Sequence, residues 1–284
     1  MKKVLSLIIV VMLLVTVFTG CGKDDEKGTV KLGYVNWAEG VAMTHLAQVI
    51  LEDKMGYEVD LTMADAAPIF TSVASGNYDA FLDAWLPVTH EDYMEDYGDD
   101  IVDLGYNYEG ARIGVVVPEY VDINTIEEMN DAKDQFEEEI VGIDAGAGIM
   151  KATNTAIDEY DLEFELLTSS GPMMAAALEK AIENGDWIAV TGWKPHWKFA
   201  RWELKFLEDS KGVYGAIENI HTIARKDIEE DMPEVADFLK NFKLDDQQLG
   251  DLMGRISDGE TGQEEDLARE WMEDNEDLVD SWLD

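Results

Sequence analysis

Cysteine is almost absent from this chain of 284 residues: Cys21 stands alone, so no internal disulfide can form and a thiolate metal cluster is excluded. Histidine is nearly as scarce. The four present, His45, His90, His196 and His221, never fall in the H-E-x-x-H spacing that sets two metal ligands on one helical face. There is no G-x-S-x-G elbow to set up a serine nucleophile. Gly146-Ala147-Gly148 follows a predicted strand and opens a predicted helix, but Lys151 stands where a dinucleotide turn needs its third glycine, and no Lys-Ser or Lys-Thr pair completes a phosphate loop. These absences leave no expected cofactor, metal or covalent chemistry.

Basic side chains are also few. Lys and Arg number 21 against 62 Asp and Glu, a formal net charge of -41, and such a field repels nucleic acid. The acids are scattered through helical segments without calcium-loop spacing. They describe a solvated surface suited to saline surroundings.

The one long apolar run, Val4 to Phe18, follows Lys2 and Lys3 and ends on small residues before Cys21. It is shorter than the roughly 20 residues a spanning helix needs and is expected to be a secretory signal over residues 1–20. Phe18-Thr19-Gly20-Cys21 resembles a bacterial lipobox, with Phe18 where Leu is usual. Cys21 is therefore expected to carry a lipid, and residues 21–28 to tether it to a fold beginning near Thr29.

Hydrophobic residues make up 46% of the chain, enough for a sizeable core. Val30 to Trp37 reads as a strand, Glu39 to Lys54 as an amphipathic helix ended by Gly56, and Tyr57 to Met63 as a second strand. Strand and helix then alternate to Thr191, an α/β pattern that predicts parallel strands. After Ile223 come three successive helical segments, read as a return onto the first part of the fold. Two strand-like segments, Arg112 to Val117 and Asn219 to Ile223, bracket the middle third. They suggest two lobes joined by crossover segments that form a hinge, with a cleft between them; a single doubly wound sheet would give the same alternation.

Eight tryptophans is a high count, and Trp37, Trp85 and Trp193 stand at or just past the C-terminal ends of predicted strands, the edge that faces the crevice in open α/β sheets. Indoles there suit a methylated cation, which offers no N–H to donate but is attracted to π faces. At roughly 0.5 to 2 kcal/mol per face, three faces supply about 2 to 6 kcal/mol, whereas micromolar affinity needs about 8. A second anchor is required, and the glycine turn supplies amides at a helix start that attract an anion.

Five stretches, Gly33-Tyr34-Val35-Asn36-Trp37, Ala84-Trp85-Leu86-Pro87-Val88-Thr89-His90, Gly142 through Met150, Thr191-Gly192-Trp193-Lys194-Pro195-His196-Trp197 and Ile220-His221-Thr222-Ile223, jointly resemble the glycine betaine and proline betaine substrate-binding proteins of osmoprotectant ATP-binding cassette importers. The resemblance covers nearly all of the mature chain. It implies a two-lobed periplasmic-binding-protein-like α/β fold of type II, with residues 29–111 and 222–284 as lobe 1 and 112–221 as lobe 2. It places Trp37 and Trp85 on one lobe and Trp193 on the other around a trimethylammonium group, with the amides of Gly148 and Ile149 and the ring of His90 on the ligand's carboxylate. It also implies a monomeric, non-enzymatic, extracytoplasmic lipoprotein whose partners are the small ligand, a membrane permease and its ATPase. Glu39 and Gly40, just beyond Trp37, match no ligand role, and His196 and Trp197 could line the cleft or pack beneath it. The competing readings are a choline or carnitine receptor of the same class, a secreted enzyme acting on methylated amines, and an adhesive lipoprotein.

Overall fold

The computed structural model describes residues 27–284. The expected signal, lipobox, Cys21 and most of the tether lie outside the described residues.

The first lobe begins with strand β1 (Thr29–Tyr34), helix α1 (Ala38–Asp53), β2 (Glu58–Met63), α2 (Ala66–Ala74), β3 (Ala80–Leu86) and α3 (Glu91–Tyr97). Helix α1 is buried on several sides, through Ala42, Met43, Leu46, Ala47, Val49, Ile50 and Leu51, because later helices cover the side that the sheet does not. Gly56 lies in the left-handed region at φ +76°, which a residue without a side chain adopts freely. Strand β3 is buried along nearly all its length, as expected of a central strand.

One strand of 18 residues, β4 (Ile101–Pro118), then crosses from the first sheet to the second. The second lobe continues with a 3₁₀ segment (Ile126–Phe136), β5 (Glu139–Val141), α4 (Gly148–Glu159), β6 (Glu165–Leu167), α5 (Gly171–Asn184), β7 (Ala189–Lys194), α6 (Lys198–Arg201) and β8 (Leu204–Phe206). Helix α5 is bounded as its sequence dictates: the Ser170 side chain caps the Met173 N–H, Pro172 sits in the first turn, and Gly185 takes the left-handed conformation at the end. Strand β9 (Glu218–Arg225) returns to the first sheet, followed by α7 (Ile228–Asp231), α8 (Pro233–Asn241), α9 (Asp246–Asp258), α10 (Glu264–Asp274) and α11 (Glu276–Leu283). Helices α9 and α10 pack on α1, so the helical tail covers the first lobe.

The strand order is β2-β1-β3-β9-β4-β7-β5-β6, with β8 also on β4. Pairs β1–β2, β1–β3, β5–β6 and β5–β7 are parallel. Strands β4 and β9 are antiparallel to each other, and also to β7 and β3 respectively. The expectation of parallel strands thus holds within each lobe and fails at the linking strands, which join lobes without the helical crossover that parallel pairing demands. Strand β4 pairs with β9 through Ala111 and with β7 from Arg112. Strand β9 hydrogen-bonds in the first sheet from Glu218 onward. Residues 218–221, placed by expectation in the second lobe, lie in this strand and pair with β3 and β4.

Candidate functional site

A small, partly open cavity lies between the lobes, lined by Trp37, Glu39, Trp85, Thr89, His90, Ile113, Ile143, Ala147, Gly148, Ile149 and Trp193. All six residues singled out in the sequence as binding residues, Trp37, Trp85, His90, Gly148, Ile149 and Trp193, are brought together here. Trp37 ends the β1–α1 turn, Trp85 and His90 flank the turn after β3, Gly148 and Ile149 open α4, and Trp193 lies at the end of β7.

The three indoles are nearly inaccessible, at 5%, 3% and 3% exposure for Trp37, Trp85 and Trp193, and each ring N–H is held by a carboxylate. Trp37 Nε1 donates to Asp144 Oδ2 at 2.9 Å. Trp85 Nε1 donates to Asp83 Oδ1 at 2.8 Å, and Trp193 Nε1 to Glu39 Oε2 at 2.7 Å. Their polar edges are thereby satisfied by carboxylates, so the rings offer the cavity carbon surface.

The lining also carries polar groups beside the indoles, His90 stacking on Trp37 with ring centroids 5.7 Å apart. The backbone N–H of Trp85 donates to His90 Nδ1 at 2.9 Å, which makes Nδ1 an acceptor and puts the proton of the neutral ring on Nε2. That Nε2 is buried and has no partner. Burial lowers His90 to about 3, so the ring is neutral at physiological pH and offers one N–H. The first turn of α4 adds backbone donors, which have no partner within a helix. Gly148 must be glycine because a Cβ there would stand 2.1 Å from the Thr89 carbonyl oxygen, across the cleft. The Thr89 turn is itself fixed by Glu218, whose Oε2 accepts the N–H groups of Val88 and Thr89, both at 3.0 Å, and whose Oε1 accepts the Thr89 hydroxyl.

Buried charge surrounds the indoles. Glu39 is raised to about 7 by burial, against the opposing pull of the Trp193 N–H and of Lys198. Asp83 is pushed well above the carboxylate range, by burial and then by the neighbouring Glu39. Lys198 is lowered to about 7 by burial. Its Nζ lies 4.0 Å from the Trp193 ring centroid and has no hydrogen-bond partner. His196 packs edge-on to Trp193 with centroids 4.8 Å apart, and its Nδ1 accepts the Lys198 N–H at 3.1 Å; neither His196 nor Trp197 lines the cavity. His45 and His221 are occupied elsewhere, by Gln48 and Asp103. Nothing in the sequence marked Glu39, Asp144, Lys198 or Glu218 for these roles, because each acts through a partner distant in the chain or through burial.

The cavity thus brings three indole rings together with the buried Nε2–H of His90 and the start of α4. No group of three or more metal-ligating side chains occurs among the described residues, and no described helix is long and apolar enough to cross a membrane. Residues 28–274 match the family described as the substrate-binding domain of ABC-type glycine betaine transport systems, and the chain belongs to that family, whose members are transporter substrate-binding proteins and not enzymes. It is 44% identical over 157 residues to the glycine betaine/carnitine transport binding protein GbuC of Listeria monocytogenes, a match covering 54% of this chain and 52% of that protein. The chain therefore spans about half the length of that relative. Among solved structures it resembles the glycine betaine, L-proline-binding protein ProX of Borrelia burgdorferi, with a TM-score of 0.86 and 38% identity over 90% of this chain and 97% of the other. Lactococcal OpuAC, in its closed-liganded conformation with glycine betaine, gives a TM-score of 0.85 and 36% identity over 90% of this chain and 100% of the other. The architecture is accordingly the two-lobed type II fold of that group.

Proposed function

We propose that this chain is the extracytoplasmic receptor of an importer and captures glycine betaine, or the closely similar proline betaine, in the cavity between its lobes. Trp37, Trp85 and Trp193 surround the quaternary ammonium group, and His90 Nε2–H with the amides of Gly148 and Ile149 holds the carboxylate. One observation carries this reading: the cavity between the lobes is lined by three indoles and by His90, whose buried Nε2 has no partner. A buried donor left unmatched costs about 1 to 3 kcal/mol, and a ligand carboxylate removes that cost while the indoles take the cation. The ligands named for the Listeria and lactococcal proteins point the same way.

Choline, the main alternative in the same class, has no carboxylate and would leave the His90 donor unmatched. Liganded chain then docks on a membrane permease driven by an ATPase, held near the membrane by a lipid on Cys21. Calorimetric titration with glycine betaine, proline betaine, carnitine and choline tests the assignment. The two betaines are expected to bind most tightly, and a preference for choline would overturn the carboxylate anchor.

A further inference from the structure

The three carboxylates that hold the indole N–H groups stand on different sides of the cleft. Asp83 and Trp85 share strand β3 in the first lobe. The other two pairs cross between lobes in opposite directions: Trp37 of the first lobe donates to Asp144 in the β5–α4 loop of the second, and Trp193 of the second donates to Glu39 in the first turn of α1. We propose that Glu39 and Asp144 are positioning residues that couple lobe closure to cation capture, each orienting the cleft indole of the opposite lobe so that two faces of the cage take their working pose only when the lobes meet. This inference rests on the betaine reading above and gives that site its closing device.

The N–H edge is the positive pole of an indole. A carboxylate there makes a charge-assisted hydrogen bond, fixes the ring plane and draws the ring's electron density toward the face that meets a cation. With the lobes apart, Trp37 and Trp193 lose these acceptors, whereas Trp85 keeps Asp83 whatever the lobes do. Glu39 is held firmly in place, since it is 1% exposed and the next residue, Gly40, lets α1 press onto β3, where a Cβ would lie 2.4 Å from Asp83 Oδ2. Gly171 serves the same closure, because a Cβ there would lie 3.0 Å from the Asn36 carbonyl oxygen across the cleft. The pair Glu39 and Gly40, without a ligand role in the sequence pattern, thereby acquires a structural one.

A double-mutant cycle on the whole chain decides the matter, with glycine betaine affinity read by calorimetry and closure by small-angle X-ray scattering. Trp193→Phe keeps an aromatic face but removes the N–H; Glu39→Ala removes the acceptor. Each is expected to weaken glycine betaine about tenfold, and the double variant by little more than either alone, with closure requiring correspondingly more ligand. Glu39→Gln keeps an oxygen to accept the N–H and should recover most of the closure lost in Glu39→Ala. If the single effects multiply, or if Glu39→Ala closes as readily as the unsubstituted chain, the coupling is refuted. Should Glu39→Ala fail to fold, the Trp37→Phe and Asp144→Ala cycle applies the same criterion. Failure of the unsubstituted chain to bind glycine betaine would instead sink the functional reading, and the two failures are distinguishable.

Discussion

The two lobes contribute to the cavity unequally. The first supplies Trp37, Trp85 and His90 together with two buried acids, Asp83, which holds Trp85, and Glu39, which reaches across to Trp193. The second supplies Trp193 and the α4 amides, and the buried titratable groups behind its indole are bases, His196 and Lys198. Hence the first lobe holds most of a binding surface on its own, while the second completes its aromatic and its polar parts at once. Closure also opposes Glu39 to Lys198, and the attraction between them is felt by both groups.

This asymmetry can be broken most severely at Gly148. Gly148→Ala places a methyl against the Thr89 carbonyl of the opposite lobe; it should weaken glycine betaine about 100-fold or more. Because the clash exists only when the lobes close, the unliganded melting temperature should move by less than about 2 °C. Calorimetry and a thermal melt check both halves of that statement. Trp193→Ala removes the only cage indole of the second lobe and should reduce affinity about 30-fold or more. Trp85→Ala, which leaves the cross-cleft hydrogen bonds in place, should cost less, and equal losses would erase the distinction between local and cross-cleft rings.

A smaller effect sharpens the polar part. His90→Ala should weaken glycine betaine about tenfold and leave choline nearly unchanged, a ratio that a ligand panel reads directly. His90 also gives a signed pH dependence. The folded chain keeps it neutral down to about 3, while an unfolded histidine titrates near 6.5. Between these values the unfolded chain binds the additional proton, so this residue lowers stability on acidification by up to about 1.4 kcal/mol per pH unit. Glu39 acts oppositely: raised to about 7, it is protonated in the fold before it is in the unfolded chain, and its contribution falls as pH rises from 4.5 toward 7. Denaturant unfolding of His90→Gln across pH 3 to 7 should lose the first slope and retain the second.

The smallest expected effect comes from net charge. Acidic groups crowd both lobes, and moderate salt should screen their repulsion and tighten glycine betaine by a few-fold. Titration at low and high ionic strength tests this, and weaker binding in salt would show that cross-cleft ion pairs such as Lys151 with Asp92 outweigh the repulsion.

Local and periodic features were legible in the sequence. Most strands, most helix starts and stops, the glycine turn and the three indoles announce themselves within a few residues, whereas the three-residue β8 and the break between α7 and α8 do not. The first half of β4 did not, because Gly105 and Gly110 adopt positive φ and the ladder with β9 shifts register repeatedly, which destroys the two-residue alternation. Helix α11 escaped for a simpler reason, since it follows α10 after a single residue, Asn275. The carboxylate partners of Trp37 and Trp193 lie 107 and 154 residues away from them, a separation at which no spacing pattern survives. Asp83, two residues before Trp85, could have been suspected, as a charged residue in the middle of an otherwise apolar strand.

Strand β4 is continuous through both sheets, and β9 joins its side at Ala111 and Glu218. Two adjacent ribbons of backbone, stitched together on one side of the passage, behave like the leaf of a flexure: they bend readily about one axis and resist sliding and twisting about the others. The jaws thus have essentially one track to travel. Whatever reads the filled state from outside needs to distinguish two positions on that track, without sampling a cloud of relative orientations.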